Sequence, residues 1–201
     1  MTKYDVIIIG GGVSGLSCAI TLGSAESKVE EASQKKTLVI DAGKSHLKMA
    51  QLYNVAGVDE GTIGIELLES LKQRAQGYKN VSVEDGVVSS VSGESGNYIV
   101  KTDADETYET DIVVFANGMQ TIDVEGIGTP VVEHIRAPRP GMVMIDNEGG
   151  VIADKKYVTG CAAGAASMFS SAAGYGAQTA TDIISSWVGK CTVIHDVCKK
   201  N

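Results

Sequence analysis

The first forty residues alternate between apolar runs and glycine-rich or polar stretches. Residues Tyr4 to Ile9 form a short apolar run rich in β-branched side chains, which is typical of a strand buried on both faces. A helix is predicted from Leu16 to Leu22, and a second apolar strand from Thr37 to Ile40 ends at Asp41. The order strand, turn, helix, strand predicts the opening of a parallel α/β sheet.

The remaining chain also predicts strands and helices, with a group of consecutive short strands in its middle. Residues Thr62 to Gln76 predict an amphipathic helix, because Ile65, Leu68 and Leu71 recur at helical spacing. Further strands are predicted at Val81 to Val83, Val87 to Val91, Tyr98 to Lys101, Thr107 to Tyr108, Asp111 to Ala116, Gly141 to Ile145 and Lys156 to Thr159. A turn at Gly93 to Gly96 and a closing helix from about Ala165 to Trp187, stopped by Gly189, complete the prediction. We expect an α/β fold with a central parallel sheet and an antiparallel β-meander in one crossover.

The turn after the first strand carries the clearest chemistry of the chain. Its residues are Gly10, Gly11, Gly12, Val13, Ser14 and Gly15, which complete the pattern G-x-G-x-x-G. The first glycine permits the tight turn, the second lets the backbone approach a pyrophosphate, and the third lets the helix pack on the strand. Asp41 is placed to accept hydrogen bonds from a ribose. The pattern predicts a bound dinucleotide; the alternative is a glycine-rich turn without a ligand.

Composition excludes several other classes of function. The chain has 201 residues and a formal net charge of −8, so we expect no nucleic-acid or anionic-membrane partner. We also expect no signal peptide and no membrane span. His46, His134 and His195 are isolated, and no ligand spacing predicts a metal site. The four cysteines are scattered, which favours a cytoplasmic protein without a disulfide framework.

Four segments in order resemble the FAD domain of the low-molecular-weight thioredoxin reductases. They are the glycine turn with Asp41-Ala42-Gly43, the loop Tyr53 to Gly57 followed by Gly64 to Leu68, the strand end Val113 to Gly118, and the run Tyr157 to Cys161 followed by Ala173 to Ala177. The resemblance implies a Rossmann-like FAD-binding domain over residues 1–188 with a tail at 189–201. It also makes NAD binding by the same turn the weaker alternative, since the closing strand and helix fit a flavin.

The resemblance implies a set of residues that contact FAD. Gly10 to Gly15 would hold the pyrophosphate, Asp41 the adenosine ribose, and the backbone of Val87 or Val88 the adenine. Met168 and Phe169 would direct backbone groups at the flavin pyrimidine. The other implied contacts are Ala42, Gly43, Lys44, His46, Asn54, Ala116, Asn117, Gly118, Gly160 and Cys161.

Two departures from the family pattern limit the functional prediction. Members of the family carry an NADPH domain with a C-x-x-C pair between the equivalents of Gly118 and Met142, where this chain has only about two dozen residues. A single βαβ unit needs about 30 or more residues. The second departure is Cys161, which stands where the family has the aspartate that binds the flavin ribityl chain.

We therefore expect an FAD-dependent oxidoreductase module that lacks its own NADPH domain. The donor would be NAD(P)H docking directly, a separate reductase or a ferredoxin, and we expect a homodimer. The catalytic residue is not determined; the candidates are Cys161, Cys191 and Cys198, and Cys161 precedes a predicted helix that would lower its pKa. The alternatives are a dithiol oxidoreductase that uses Cys191 and Cys198, and a non-catalytic FAD-binding subunit or redox sensor. Cys18 is expected to be an inert buried thiol.

Overall fold

The computed structural model describes residues 1–195, whose strands form one mixed eight-stranded sheet and two sheets of two strands. The strands are β1 (Thr2–Ile9), β2 (Thr37–Asp41), β3 (Gln51–Leu52), β4 (Thr62–Ile63), β5 (Val81–Asp85), β6 (Val88–Glu94), β7 (Asn97–Thr102), β8 (Thr107–Phe115), β9 (Val131–Glu133), β10 (Val143–Ile145), β11 (Val151–Ala153) and β12 (Lys156–Val158). The α-helices are α1 (Val13–Ala25), α2 (Gly64–Gln76) and α3 (Phe169–Val188).

The central sheet is parallel in the order β12-β8-β1-β2-β5. Strand β1 lies in the middle and buries both of its faces. Val6 and Ile8 belong to the core cluster that contains the helices, whereas Ile7 and Ile9 belong to the cluster on the opposite face. The predicted parallel α/β sheet is confirmed.

Strand β8 joins the two parts of the sheet. The sequence predicts two short strands at Thr107 to Tyr108 and Asp111 to Ala116, but the structure has one strand of nine residues. Its first half pairs antiparallel with β7, its last three residues pair parallel with β12, and β1 accompanies it along its length. The predicted meander is therefore β6-β7-β8. The strand at Val81 to Val83 does not join it, because β5 pairs parallel with β2 instead.

Helices α2 and α3 begin slightly later than the sequence predicts, whereas α1 begins earlier, at Val13 instead of Leu16. Thr62 and Ile63 pair with β3, so α2 begins at Gly64. Residues Gly160–Ala163 form a 3-10 turn that ends at Gly164 in a left-handed conformation with φ +90°, and α3 begins at Phe169. The predicted stop at Gly189 is confirmed by its φ of +75° at the C-cap of α3.

The segment between β8 and β10 packs onto the domain. Ile122 and Ile127 are buried in the core, and the Val143 N–H donates to the Met119 carbonyl at 2.9 Å. Lys156 donates from Nζ to the carbonyls of Gly126 and Ile127 at 3.1 and 3.2 Å. Strands β9 and β10 then form a separate antiparallel pair. The segment contains no helix.

Candidate functional site

Five parallel strands end at one edge of the large sheet, and the sequence motifs lie there. Gly10 follows β1, Asp41 ends β2, Gly86 follows β5, Ala116 follows β8, and Thr159 follows β12. In open α/β sheets, ligands bind outside the carboxyl ends of the strands. This edge is therefore the candidate site.

The glycine turn leaves the N-terminus of α1 accessible. Gly10 has φ +119°, and a Cβ at Gly15 would overlap the Gly10 carbonyl oxygen, so both positions require glycine. A Cβ at Gly12, the N-cap of α1, would meet nothing closer than Ser45 Oγ at 3.5 Å. No side chain caps the helix and no acidic residue lies in its first turn. These features suit an anionic ligand such as a pyrophosphate.

Asp41 is held by backbone groups. Its Oδ1 accepts hydrogen bonds from the Gly11 N–H at 3.3 Å and the Gly43 N–H at 2.9 Å. A Cβ on Gly11 would lie 2.6 Å from the Asp41 Cβ, so glycine is required for this approach. The carboxylate is fixed beside the turn, where the sequence predicts a ribose contact.

A cleft of about 500 Å³ opens from Asp41 toward α2 and the end of β5. Two of its apolar side chains remain solvent-exposed, Ile65 at 51% and Val87 at 38%. Lys72 of α2 and Asp85 of β5 form an ion pair there, with Nζ to Oδ1 at 2.9 Å. The lining residues are Gly11, Leu16, Asp41, Ala42, Gly43, Lys48, Ile65, Leu68, Glu69, Lys72, Asp85, Gly86 and Val87.

Sequence reasoning missed the α2 side of this cleft. It took Ile65 as part of the core stripe, but only Leu68 of that stripe is buried, and Ile65 faces the cleft. Glu69 and Lys72 follow Ile65 at positions i+4 and i+7, which places all three on one helix face. The sequence spacing of these three residues could therefore have predicted that they share this face of α2.

The other side of the edge, at β8 and β12, contains buried polar atoms. Asn117 Oδ1 and Thr159 Oγ1 are buried and have no hydrogen-bond partner among residues 1–195. Gly160 has φ +64°, and a Cβ there would lie 2.6 Å from Ser14 Cβ, so this loop closes over the first turn of α1. An unpartnered buried oxygen fits a ligand with hydroxyl donors, such as a ribityl chain.

Cys161 does not have the lowered pKa that the sequence predicts. Burial raises the pKa of its thiol, and a hydrogen bond with Ser167 opposes the shift only in part. The thiol Sγ lies 3.9 Å from the Ala166 carbonyl oxygen. The prediction is wrong because Cys161 lies within a 3-10 turn, eight residues before α3 begins.

Some of the remaining predicted contacts line the cleft and others do not. Ala42 and Gly43 line it, while Lys44 and Asn54 are exposed outside the lining and His46 lies in the 3-10 turn His46–Met49. Val88 is buried in β6, so of the two adenine candidates only Val87 lines the cleft. Gly118 follows Asn117, Met168 is the exposed N-cap of α3, and Phe169 is the first residue of that helix.

The other cysteines differ from one another in solvent exposure. Cys18 is fully buried in α1, and burial raises the pKa of its thiol, as expected of an inert core residue. Cys191 is exposed beyond α3. Cys198 lies outside the described residues, so the proposed pairing of Cys191 with Cys198 stays a prediction.

Residues 4–158 match the sequence model of the family described as pyridine nucleotide-disulphide oxidoreductases, which is more than half of the chain. The chain belongs to this family. The thioredoxin reductase of Mycolicibacterium smegmatis is 29% identical over 121 residues, 58% of this chain and 35% of the relative. Ferredoxin–NADP reductase 1 of Bacillus velezensis is 29% identical over 124 residues, 60% of this chain and 36% of the relative. The match thus spans about a third of each relative's length.

Solved structures show the same fold at low sequence identity. A thioredoxin reductase from Gloeobacter violaceus has a TM-score of 0.75 at 14% identity and covers 99% of this chain and 100% of its own. A ferredoxin-flavin thioredoxin reductase from Clostridium acetobutylicum has a TM-score of 0.70 at 17% identity and covers 94% of this chain and 100% of its own. The Rossmann-like fold and the resemblance to thioredoxin reductases are confirmed. Within residues 1–195, no helix has the length and apolarity to cross a membrane.

Proposed function

We propose that this chain binds FAD at the carboxyl edge of its sheet and acts as an oxidoreductase module supplied with electrons by an external donor. One observation carries the proposal: an uncapped helix N-terminus, a fixed acid at the end of β2 and buried unpartnered oxygens beside β8 and β12 lie along one edge. A dinucleotide carries a pyrophosphate, a ribose and, in FAD, a ribityl chain. Each of these groups has a matching feature along the edge.

The residues have separate roles in this proposal. The N–H groups at the start of α1 bind the pyrophosphate, and Asp41 accepts hydrogen bonds from the adenosine ribose. Asn117, with its unpartnered buried oxygen, would accept a hydrogen bond from the ribityl chain. The start of α3, at Met168 and Phe169, has no acidic residue in its first turn, and its positive end would stabilise negative charge on the flavin pyrimidine. When bound, FAD supplies the capacity to accept and pass on electrons.

The internal segment between Gly118 and Met142 supports the proposed lack of an NADPH domain. It consists of a connection packed on the core and strand β9, and Lys156 ties it to the domain. Electrons would then come from NAD(P)H at an open flavin face, a separate reductase or a ferredoxin. Two of the similar proteins are a ferredoxin–NADP reductase and a ferredoxin-flavin thioredoxin reductase, which makes a ferredoxin a reasonable donor to test. A homodimer in the cytoplasm completes the proposal.

The decisive experiment is the visible absorption spectrum of the purified chain, repeated without oxygen after NADH, NADPH or a reduced ferredoxin is added. A yellow protein that bleaches with one donor supports the proposal and identifies the donor. A protein that stays colourless after incubation with FAD contradicts it. A yellow protein that no donor bleaches contradicts the enzymatic part and favours a sensing role.

A matched pair of variants ties the colour to the site. Gly12→Asp places a negative charge at the N-terminus of α1 and should abolish FAD binding while the protein stays folded. Ser70→Asp adds the same charge at an exposed position of α2 outside the cleft lining and should remain yellow. Equal loss of colour in both variants would contradict the assigned site.

A further inference from the structure

The cleft beside α2 combines apolar and polar lining. Ile65 and Val87 both line it and both remain exposed, although they are large apolar side chains. Apolar lining with a few placed polar groups is typical of ligand sites, and here it offers surface to a planar base. Asp41, the proposed ribose contact, lines the same cleft. The other polar groups of the lining then decide which base fits.

The backbone of Val87 and Val88, which is expected to recognise adenine, is already partly engaged. The Val87 carbonyl accepts a hydrogen bond from the Asp103 N–H at 2.9 Å, and Val88 is paired with Thr102 in the sheet. Asp41 Oδ1 accepts from two backbone N–H groups. The expected recognition of adenine through the backbone of Val87 or Val88 is therefore limited to the Val87 N–H.

Asp85 and Glu69 are the two other carboxylates of the lining, and Asp85 is the one that lies on the sheet beside Asp41. It is opposite Asp41 in the parallel register of β2 and β5, and its side chain is 84% exposed. The Gly86 N–H donates to the Asp41 carbonyl at 3.0 Å, which joins the residue after Asp85 to the end of β2. Asp85 therefore lies next to the proposed ribose contact and lines the same cleft.

Lys72 holds the Asp85 carboxylate from across the cleft. Its Nζ donates to Asp85 Oδ1 at 2.9 Å. The hydrogen bond with Asp85 raises the pKa of Lys72, and the charges of Asp41 and Glu69 add to the effect, so Lys72 stays a cation at neutral pH. A carboxylate can accept several hydrogen bonds, so the ion pair with Lys72 orients Asp85 and leaves it able to accept a hydrogen bond from a ligand.

We infer that Asp85, positioned by Lys72, accepts a hydrogen bond from the exocyclic amine of adenine and makes the cleft selective for adenine over oxo-purines. The inference rests on the proposed function, because it concerns the adenosine half of the same cofactor. Adenine presents an amine donor to the carboxylate, whereas hypoxanthine presents a carbonyl oxygen in its place. Two acceptors then face each other, and the base is rejected.

The test measures how well ADP and IDP compete with FAD for binding to the full chain. Release of FAD is detected by the rise in flavin fluorescence. These two nucleotides differ only in the base. The wild-type chain should bind ADP about tenfold more tightly than IDP, the order of one hydrogen bond to a charged group. In Asp85→Asn the amide can donate to the hypoxanthine oxygen, so the ratio should fall close to one.

The matched control is Asp105→Asn. Asp105 is also an exposed acid in a lysine pair, with Oδ1 2.8 Å from Lys101 Nζ, but it does not line the cleft. Its ADP to IDP ratio should equal that of the wild type. Equal affinities in the wild type, an unchanged ratio in Asp85→Asn, or an equal change in Asp105→Asn would each overturn the inference. A chain that binds neither FAD nor ADP would instead overturn the proposed function.

Discussion

The two halves of the carboxyl edge differ in how their polar groups are satisfied. At β2 and β5, Asp41 accepts two backbone hydrogen bonds and Asp85 pairs with Lys72. At β8 and β12, Asn117 Oδ1 and Thr159 Oγ1 are buried and have no partner within residues 1–195. A buried polar atom without a partner costs about 1–3 kcal/mol. The half at β2 and β5, proposed to bind adenosine and here called the adenosine half, is therefore pre-organised by the protein itself. The half at β8 and β12, proposed to bind the flavin and here called the flavin half, is stabilised only when a ligand or water completes it.

The two halves also differ in charge. Asp41 ends β2 with a carboxylate. Cys161 stands where the family has the aspartate that binds the ribityl chain, and burial raises the pKa of its thiol. A neutral thiol is a poor hydrogen-bond acceptor. In the proposed complex with FAD, the flavin half would therefore hold the polyhydroxyl ribityl chain with neutral groups. Four predictions test this comparison, at the glycine turn, Asn117, Thr159 and Cys161.

The largest effect should come from Gly15→Ala in the pre-organised half. The added Cβ would overlap the Gly10 carbonyl oxygen and lie 3.3 Å from the Ala116 Cβ, so α1 would have to move away from β1. We expect the free energy of unfolding to fall by about 3 kcal/mol or more, the upper range for overpacking. Urea unfolding followed by circular dichroism measures it.

Gly12→Ala separates folding from binding in the same turn. Its Cβ would meet only Ser45, at 3.5 Å or beyond, so the loss of stability should stay within about 1 kcal/mol, the usual cost of alanine at an N-cap. The methyl group would still obstruct a pyrophosphate, and ADP affinity should fall. If Gly12→Ala unfolds the protein as readily as Gly15→Ala, the turn is structural throughout and its open face has no role in binding.

A second prediction concerns Asn117 in the flavin half. Asn117→Ala removes the unpartnered amide oxygen, and FAD affinity should fall about tenfold while ADP affinity stays unchanged, because ADP has no ribityl chain. Titration of the protein with each ligand measures both. Asn117→Thr, which places a hydroxyl oxygen at this position, should restore most of the FAD affinity. A parallel loss of ADP affinity would show that Asn117 acts on the whole turn and would contradict the division into two halves.

Sequence could predict the elements whose signal is local. The apolar run of β1, the glycine turn and the tip of β2 are contiguous, and the structure brings Gly11, Gly43 and Asp41 into contact as their order suggests. Strand β8 was harder to predict. Its first half lies beside β7 and its second half is buried beside β12, so one strand shows two hydrophobicity patterns.

Other features depend on contacts that the sequence does not encode locally. Strand β9 is exposed along its whole length and pairs only with β10, so no hydrophobic alternation marks it. Ile65 has the helical spacing of a core residue, and periodicity does not distinguish a face that meets the core from one that meets a cleft. The raised pKa of Cys161 follows from its burial in the folded chain, which the local sequence does not show.

A third prediction tests whether Thr159 Oγ1 is an uncompensated polar group. Thr159→Val replaces the hydroxyl with a methyl group of similar size at a fully buried position. Without FAD, the free energy of unfolding should rise by about 1 kcal/mol, because a buried polar group without a partner is removed. Thr110→Val is the matched control: Thr110 is equally buried, but its Oγ1 donates to the Ile112 carbonyl at 2.9 Å, so stability should fall. The same sign in both variants would contradict the interpretation.

The smallest effect concerns the reactivity of Cys161. Burial disfavours the thiolate, so the pKa lies above its usual value of 9.0 and the thiol persists to higher pH. Alkylation of Cys161 by iodoacetamide, followed by mass spectrometry, should therefore be slow at pH 8 and rise only above pH 9. Exposed Cys191 in the same sample provides the reference for an accessible thiol. Rapid alkylation of Cys161 at pH 8 would mean that position 161 supplies a negative charge after all, and that the two halves of the edge are more alike than their polar contacts indicate.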